Sequence, residues 1–284
     1  MSRPASTWWG PAGFARRQPV GAVALLILLG ILLASLASPV LAPYDPFAND
    51  LSNKWAPPTA AHPMGTDQYG RDTYSRLLLG ARYSLFLSFS ATFLGVTIGA
   101  VIGLITAYSR GWFDILVLRI VDVKMAMPGL VFTLLIVAGL GPSLSGVIIA
   151  LAVGMLARSI RVIRAAALAT REMVYVDAAR AIGCPDWRIM ALHILPACIA
   201  PYIILISISI GGAIVAEASL GYLGLGVQPP TPTWGQILNR AQQTFRQNPW
   251  VAIFPGLAIS LTVFAFNLLG DAIRDHLDPK LRGR

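Results

Sequence analysis

The chain has 284 residues, of which 56% are hydrophobic and only 12% charged, and its mean hydropathy is +0.66. A soluble domain carries about 25% charged residues, so the composition excludes an ordinary soluble globule and points to a chain that crosses a membrane several times. The formal net charge of +9 is scattered over short hydrophilic segments, which argues against a nucleic-acid surface and for basic residues that orient spans.

A helix needs about 20 apolar residues to cross a bilayer. Residues 20–41 meet that length without a charge. Arg16 and Arg17 precede them and small residues follow, as in a secretory signal. The run is longer than a signal-peptide core, so an uncleaved anchor is expected. A polar segment follows, from 42 to about 82. In it, Thr66 is expected to cap a helix with Asp67 in its first turn. Asp67–Arg71 and Asp72–Arg76 are then i,i+4 pairs. This helix reads either as an amphipathic surface element or as a contact for a delivered substrate or outside partner.

Five more apolar runs cover 84–108, 115–140, 144–156, 197–216 and 251–270. The fourth of the six spans is short, and is expected to extend through Ile163, with Arg158 and Arg161 snorkelling from its end. In the second span Gly95, Gly99 and Gly103 recur every four residues, which puts them on one face and allows close helix packing. Gly146, Ala150 and Gly154 repeat the pattern more weakly. Lys124 lies inside the third span, and Arg119 and Asp122 can pair near its start. Glu217 follows the fifth span with no local cation. It reads either as lining a wet pathway or subunit interface, or as a cap for the Gly-rich turn that follows.

Between the fourth and fifth spans stands YVDAARAIGCPDWRIMALHILP, residues 175–196. Residues 177–182 read as a short Ala-rich helix. Gly183 supplies a left-handed stop. Pro185 and Asp186 suit the first turn of a second helix, with Trp187, Met190, Ala191 and Ile194 on one face. Ala178, Ala179 and Ile182 form a low knob, fit either for an interfacial loop or for insertion into a partner's groove.

With the N-terminus inside, most cations fall on the cytoplasmic side: Arg3, Arg16, Arg17, Arg110, Arg119, the series Arg158, Arg161, Arg164, Arg171, Arg180 and Arg188, and the tail Arg274, Lys280, Arg282 and Arg284. Lys54, Arg71, Arg76, Arg82, Arg240 and Arg246 fall outside. The bias predicts N-in and C-in. There is no phosphate loop, HExxH or GxSxG. His62, His193 and His276 fall in separate segments on both sides, and Cys184 and Cys198 lack zinc spacing, so no metal site is expected.

The motif DAARAIG with the distal HILP resembles the cytoplasmic EAA loop of ABC importer permeases. Asp177 stands where Glu is usual, and His193 where an apolar residue is usual. HPMGTDQYGRDTYSRLLLGARYSL, EASLGYLGLGVQPPTPTWG and NLLGDAIRDHLDP resemble the second, C-type permease of dipeptide, oligopeptide and nickel importers. The resemblance covers nearly the whole chain. It implies an all-α polytopic type I (MetI-like) permease fold in the bacterial inner membrane. It divides the chain into an anchor and periplasmic segment, 1–83, and a five-helix core, 84–284, with the coupling loop at about 171–196. It implies a homologous permease partner, two ATPase subunits that carry ATP and Mg, and an external solute-binding protein, with no cofactor on this chain. Asp177, Ala178, Ala179, Arg180, Ile182 and Gly183 would seat in an ATPase groove. Peptide is the expected cargo, with nickel or glutathione as alternatives. A proton-coupled carrier using Glu217 and a non-transporting scaffold are the rival classes.

Overall fold

The structure, a computed structural model, describes residues 18–109 and 111–277. Arg3, Arg16, Arg17, Arg110, Lys280, Arg282 and Arg284, which enter the orientation argument, lie outside the described residues.

The first apolar run forms α1, Pro19–Leu36, with Pro19 in its first turn, where a missing N–H costs nothing. A short turn, Ser38–Leu41, follows. The second span is the 37-residue α2, Thr73–Ser109. At 1.5 Å per residue it reaches about 55 Å and projects beyond the roughly 30 Å hydrocarbon core. Then come α3, Trp112–Ala126, and α4, Gly129–Leu140. The fourth span is α5, Leu144–Arg171, capped by Ser143 through the Gly146 N–H. Next are α6, Val174–Ala181, and α7, Leu195–Tyr222. Finally α8, Trp234–Thr244, leads to α9, Trp250–Leu277. By length and apolarity five of these helices can cross a membrane, or six when α3 and α4 count as one broken span.

The packing follows from small residues. α2 lies along α5. An added Cβ at Gly95 would stand 2.9 Å from the Ala152 Cα, one at Gly99 2.5 Å from the Ser159 Cβ, and one at Gly103 2.6 Å from the Ile160 carbonyl. Only hydrogen fits there, so the two backbones touch. α7 packs on α9, and α1 packs on α9 and α2. Leu28, Leu85, Ile214, Trp234 and Phe266 share that second core. A third core, with Ala107, Ile163, Val176 and Ile189, closes the end of the bundle that carries α6.

At the opposite end, the loop before α2 folds around buried polar groups. The Asp67 carboxylate accepts from the Tyr69 and Arg71 N–H groups at 2.8 and 3.1 Å and from Arg71 Nε at 2.8 Å. The Asn248 side chain donates to the carbonyls of Ala56 and Thr66, both at 3.0 Å. Asp50 heads the turn Leu51–Asn53. Hydrogen bonds from Ser52, then from Asn53, hold its carboxyl below the usual range.

Five expectations are corrected. The helix begins at Thr73, not at Thr66, because Asp67 turns its oxygens onto the next N–H groups and Gly70 takes φ +73°. Of the two expected ion pairs, Asp67–Arg71 forms at 2.6 Å. Asp72 instead caps α2 through Ser75 N at 2.7 Å and meets His62 at 3.0 Å. Arg76 reaches Pro46 O at 2.9 Å. The third span is broken at Met127–Pro128, with a 101° bend between α3 and α4. The residue before a proline disfavours helix, and Met127 is extended with ψ 138°. The fourth span runs on to Arg171, so Arg158 and Arg161 are not at its end. Asp122 bonds Arg161 of α5 rather than its neighbour Arg119.

Candidate functional site

The stretch between the fourth and fifth spans is held by its inner face and open on its outer one. α6 starts at Val174, three residues before the expected Asp177. Val176 and Ala179 turn inward onto Ala107, Ile163, Ala167 and Ile189. Ala178 faces outward, and so do Val174 at 84% exposure and Ile182 at 85%. The expected knob is therefore corrected. Ala179 belongs to the core, and the exposed apolar face is Val174, Tyr175, Ala178 and Ile182, at helical spacing. Asp177 and Arg180 pair along the helix at 3.0 Å, which is solvated and adds little stability.

The stop after α6 is a Schellman motif. The Gly183 N–H bonds Arg180 O at 2.9 Å and the Cys184 N–H bonds Ala179 O at 3.1 Å. Gly183 has φ +80°, the left-handed value such a stop requires. The chain then turns through Pro185, which precedes the next helix rather than opening it. Asp186–Ile189 runs through a wide turn, Met190–Ile194, directly into α7. The expected second amphipathic helix is thus the first turns of the fifth span. Trp187 is 67% exposed there and Ile189 and Ile194 are buried, so the residues do not form one free face.

Three residues to which sequence reasoning assigned no contact with one another, Arg171, Tyr108 and Asp186, tie this region to the spans. Arg171 Nη1 donates to Ala107 O at 2.9 Å and Tyr108 O at 2.8 Å. Its guanidinium lies 5.2 Å from the Tyr108 ring centroid. The Tyr108 hydroxyl bonds the Asp186 carboxylate. The sequence signals were weak: a basic residue at a helix end and a tyrosine at the end of a span, 78 positions from its acid.

Glu217 lies elsewhere, on α7 at 1% exposure. Ser84 of α2 and Thr233, the cap of α8, are its polar neighbours. Ser84 accepts the Trp234 N–H at 3.0 Å. Among the described residues neither Glu217 oxygen has a partner with hydrogen-bond geometry. It is buried inside this chain's own bundle, not on an exposed face, and it does not cap the turn after α7. That turn is capped by Asn239, which donates to Tyr222 O at 2.7 Å. Gly95, Gly99 and Gly103 form the α2–α5 seam and lie apart from both places.

Comparison with known proteins gives a consistent picture. Residues 95–283 match the family described as binding-protein-dependent transport system inner membrane component. Residues 15–58 match the N-terminal transmembrane domain of oligopeptide transport permease C. The glutathione transport system permease protein GsiD of Pectobacterium atrosepticum is 42% identical over 272 residues, covering 95% of this chain and 89% of that protein. A Brucella suis protein named "Putative peptide transport system permease protein" is 41% identical over 260 residues, covering 92% and 88%. Among solved structures, the inward-facing MetNI methionine ABC transporter aligns with TM-score 0.58 at 20% identity, covering 72% of this chain and 97% of that one. An amino acid ABC transporter with histidines aligns with TM-score 0.57 at 20% identity, covering 72% and 95%. Those two establish the fold. The family match over residues 95–283 and the relatives aligned over nine-tenths of the chain agree: the chain belongs to the binding-protein-dependent transport system inner membrane components, as a multi-pass, non-enzymatic permease of an ABC importer in the inner membrane that works with ATPase and solute-binding partners.

Proposed function

We propose that this permease imports short peptides, and that α6 is its joint with an ATPase. The observation that carries the joint is the exposed apolar face of α6 and its cap on a fixed base: Val174 and the capping Ile182 are 84% and 85% exposed, while Val176 and Ala179 are locked into the core. A preformed helix with a small apolar face suits a groove in a partner. Asp177, Ala178, Arg180 and Ile182 would meet that groove, and Ala179 and Gly183 would hold the helix in shape.

In this reading the N- and C-termini are cytoplasmic. A homologous permease completes the pathway, and two ATPase subunits dock below with ATP and Mg on them. The solute-binding protein docks against the opposite end, near the loop 42–72. Residues 1–83 act as anchor and outer segment and 84–284 as the transport core. ATP-driven closure of the ATPases draws the paired α6 helices together and shifts the pathway from inward-open to outward-open, a rigid-body population shift.

Peptide cargo is supported by the names of the relatives, which are peptide and glutathione permeases at nearly equal identity. Glutathione, a tripeptide, is therefore the second reading. The test is uptake by the assembled transporter in proteoliposomes, with ATP on the ATPase side. Labelled di- and tripeptides, glutathione and nickel would each be delivered by the cognate binding protein. ATP-dependent peptide accumulation is expected. Accumulation driven by a proton gradient without ATP would overturn the reading.

A further inference from the structure

The joint needs a route by which a force on α6 reaches the spans. α6 continues from α5 after only Glu172 and Met173. It does not run into α2, and it is separated from α7 by the Gly183 turn and the helix that Asp186 opens. A short helix on such a tether could rock on its base. We infer that Arg171, Tyr108 and Asp186 form a clamp that makes the ends of α2, α5 and α7 move with α6 as one body. They are positioning residues for the coupled reaction, and the inference rests on the reading of α6 as the ATPase joint.

The geometry assigns each group a task. Arg171, at the last turn of α5, donates from one nitrogen to Ala107 O at 2.9 Å and Tyr108 O at 2.8 Å. These carbonyls belong to the last turn of α2, where a helix leaves its C=O groups without intrahelical partners and favours a cation. Arg171 thus caps a helix other than its own. The same guanidinium lies 5.2 Å from the centroid of the Tyr108 ring, which fixes the ring by cation–π attraction. The held ring aims its hydroxyl at the Asp186 carboxylate. Asp186 is the first residue of the helix that leads through Met190–Ile194 into α7. Beneath the polar chain, Ala107, Val176, Ala179 and Ile189 bury one another. One charge chain and one apolar plug therefore join three spans at the base of α6. A planar guanidinium held over a ring keeps its direction better than a freely rotating ammonium does.

The test uses the transporter assembled with its permease, ATPase and binding-protein partners in proteoliposomes, reading cargo taken up per ATP hydrolysed. Tyr108→Phe keeps the ring and removes the hydroxyl. Asp186→Asn keeps the shape and removes the charge. Each is expected to lower uptake per ATP several-fold, with the ATPases still co-purifying. The double variant is expected to be no worse than the worse single one, as for two ends of one bond. Arg171→Lys is expected to keep part of the coupling and Arg171→Gln to lose it. Wild-type uptake per ATP in both Tyr108→Phe and Asp186→Asn would overturn the clamp. So would losses that multiply in the double variant, or a fall in uptake matched by an equal fall in ATPase activity, which is what a merely structural role predicts. Ile182→Asp separates this from the joint itself. If that variant still binds and couples the ATPases, the reading of α6 fails, whereas the clamp alone fails if Ile182→Asp uncouples and the clamp variants do not.

Discussion

Gly183 has open space around it: nothing lies within 4 Å of an added Cβ. Its demand is purely one of backbone, the φ of +80°. Gly183→Val is therefore expected to cost about 1–2 kcal/mol at that one turn, leave the spans inserted, and tilt α6 off its base. Membrane yield should hold while uptake per ATP drops, and a variant with unchanged coupling would speak against the joint. Glu217 presents the opposite case, a side chain with no room and no ion-pair partner. Glu217→Gln keeps the shape and should unfold within a few degrees of wild type. Glu217→Lys puts a long cation where no acid faces it and should fail to accumulate, since an unpaired buried charge costs several kcal/mol. Thermal unfolding in detergent and membrane yield decide both. Gly183 was legible in the sequence because a local turn has local chemistry. The surroundings of Glu217 were not, because Ser84 and Thr233 reach it from α2 and the edge of α8, and nothing in its own segment announces them.

At the scale of helices, hydropathy located the spans but not their breaks or partners. Apart from Arg119, Asp122 and Lys124 the run 115–140 carries no charge, so its mean hydropathy conceals the 101° bend. Pro128 was the one local sign of it. The expected helix start at Thr66 failed for a similar reason: Asp67 prefers to close a turn on the following N–H groups, which a count of i,i+4 charges ignores. Asp122, expected to pair with Arg119 of its own helix, pairs instead with Arg161 of α5. Beside it Arg164 holds Asp114 by two bonds of 2.6 Å, Nε to Oδ1 and Nη2 to Oδ2. α3 is thereby tied to α5, and the bend at Pro128 separates it from α4. Arg164→Ala should destabilise the protein by about 2 kcal/mol, and the exchange of Asp114→Arg with Arg164→Asp should recover part of that loss in the same unfolding assay. The glycine seam gives a sharper result. Gly99→Leu drives a side chain into Ser159, and such overpacking costs about 1–3 kcal/mol or more. Its expected outcome is loss of folded protein, read as fluorescence-detected size exclusion.

The molecule as a whole separates its functions by end. α6 and its clamp occupy one end, and the loop 42–72 with α8 occupies the other. Tyr69 at that second end meets two guanidinium groups, Arg71 at 4.6 Å and Arg240 at 5.5 Å from its centroid. In a variant with Cys184→Ser and Cys198→Ala, a single cysteine at position 182 is expected to react with a membrane-impermeant thiol reagent only from the cytoplasm, and one at position 69 only from outside. Labelling from the reverse sides would invert the topology and remove the ATPase joint. That α6 and the loop 42–72 fall at opposite ends was readable from the order of the spans, and the distribution of Lys and Arg predicts which end is cytoplasmic. The cross-connections that make each end rigid were not, because they join residues far apart in the chain.

Asn248 carries one more implication. Its two hydrogen bonds reach back 192 and 182 positions, to Ala56 and Thr66. During synthesis the loop 42–72 emerges long before Asn248 exists, so it is held only by its own contacts, such as Asp67–Arg71 and Arg76–Pro46, while four further spans are made. Arrival of the last span then completes the loop. Such a seam works as a mark of completion: a chain truncated before position 248 would present an open, protease-sensitive loop, and a finished one would not.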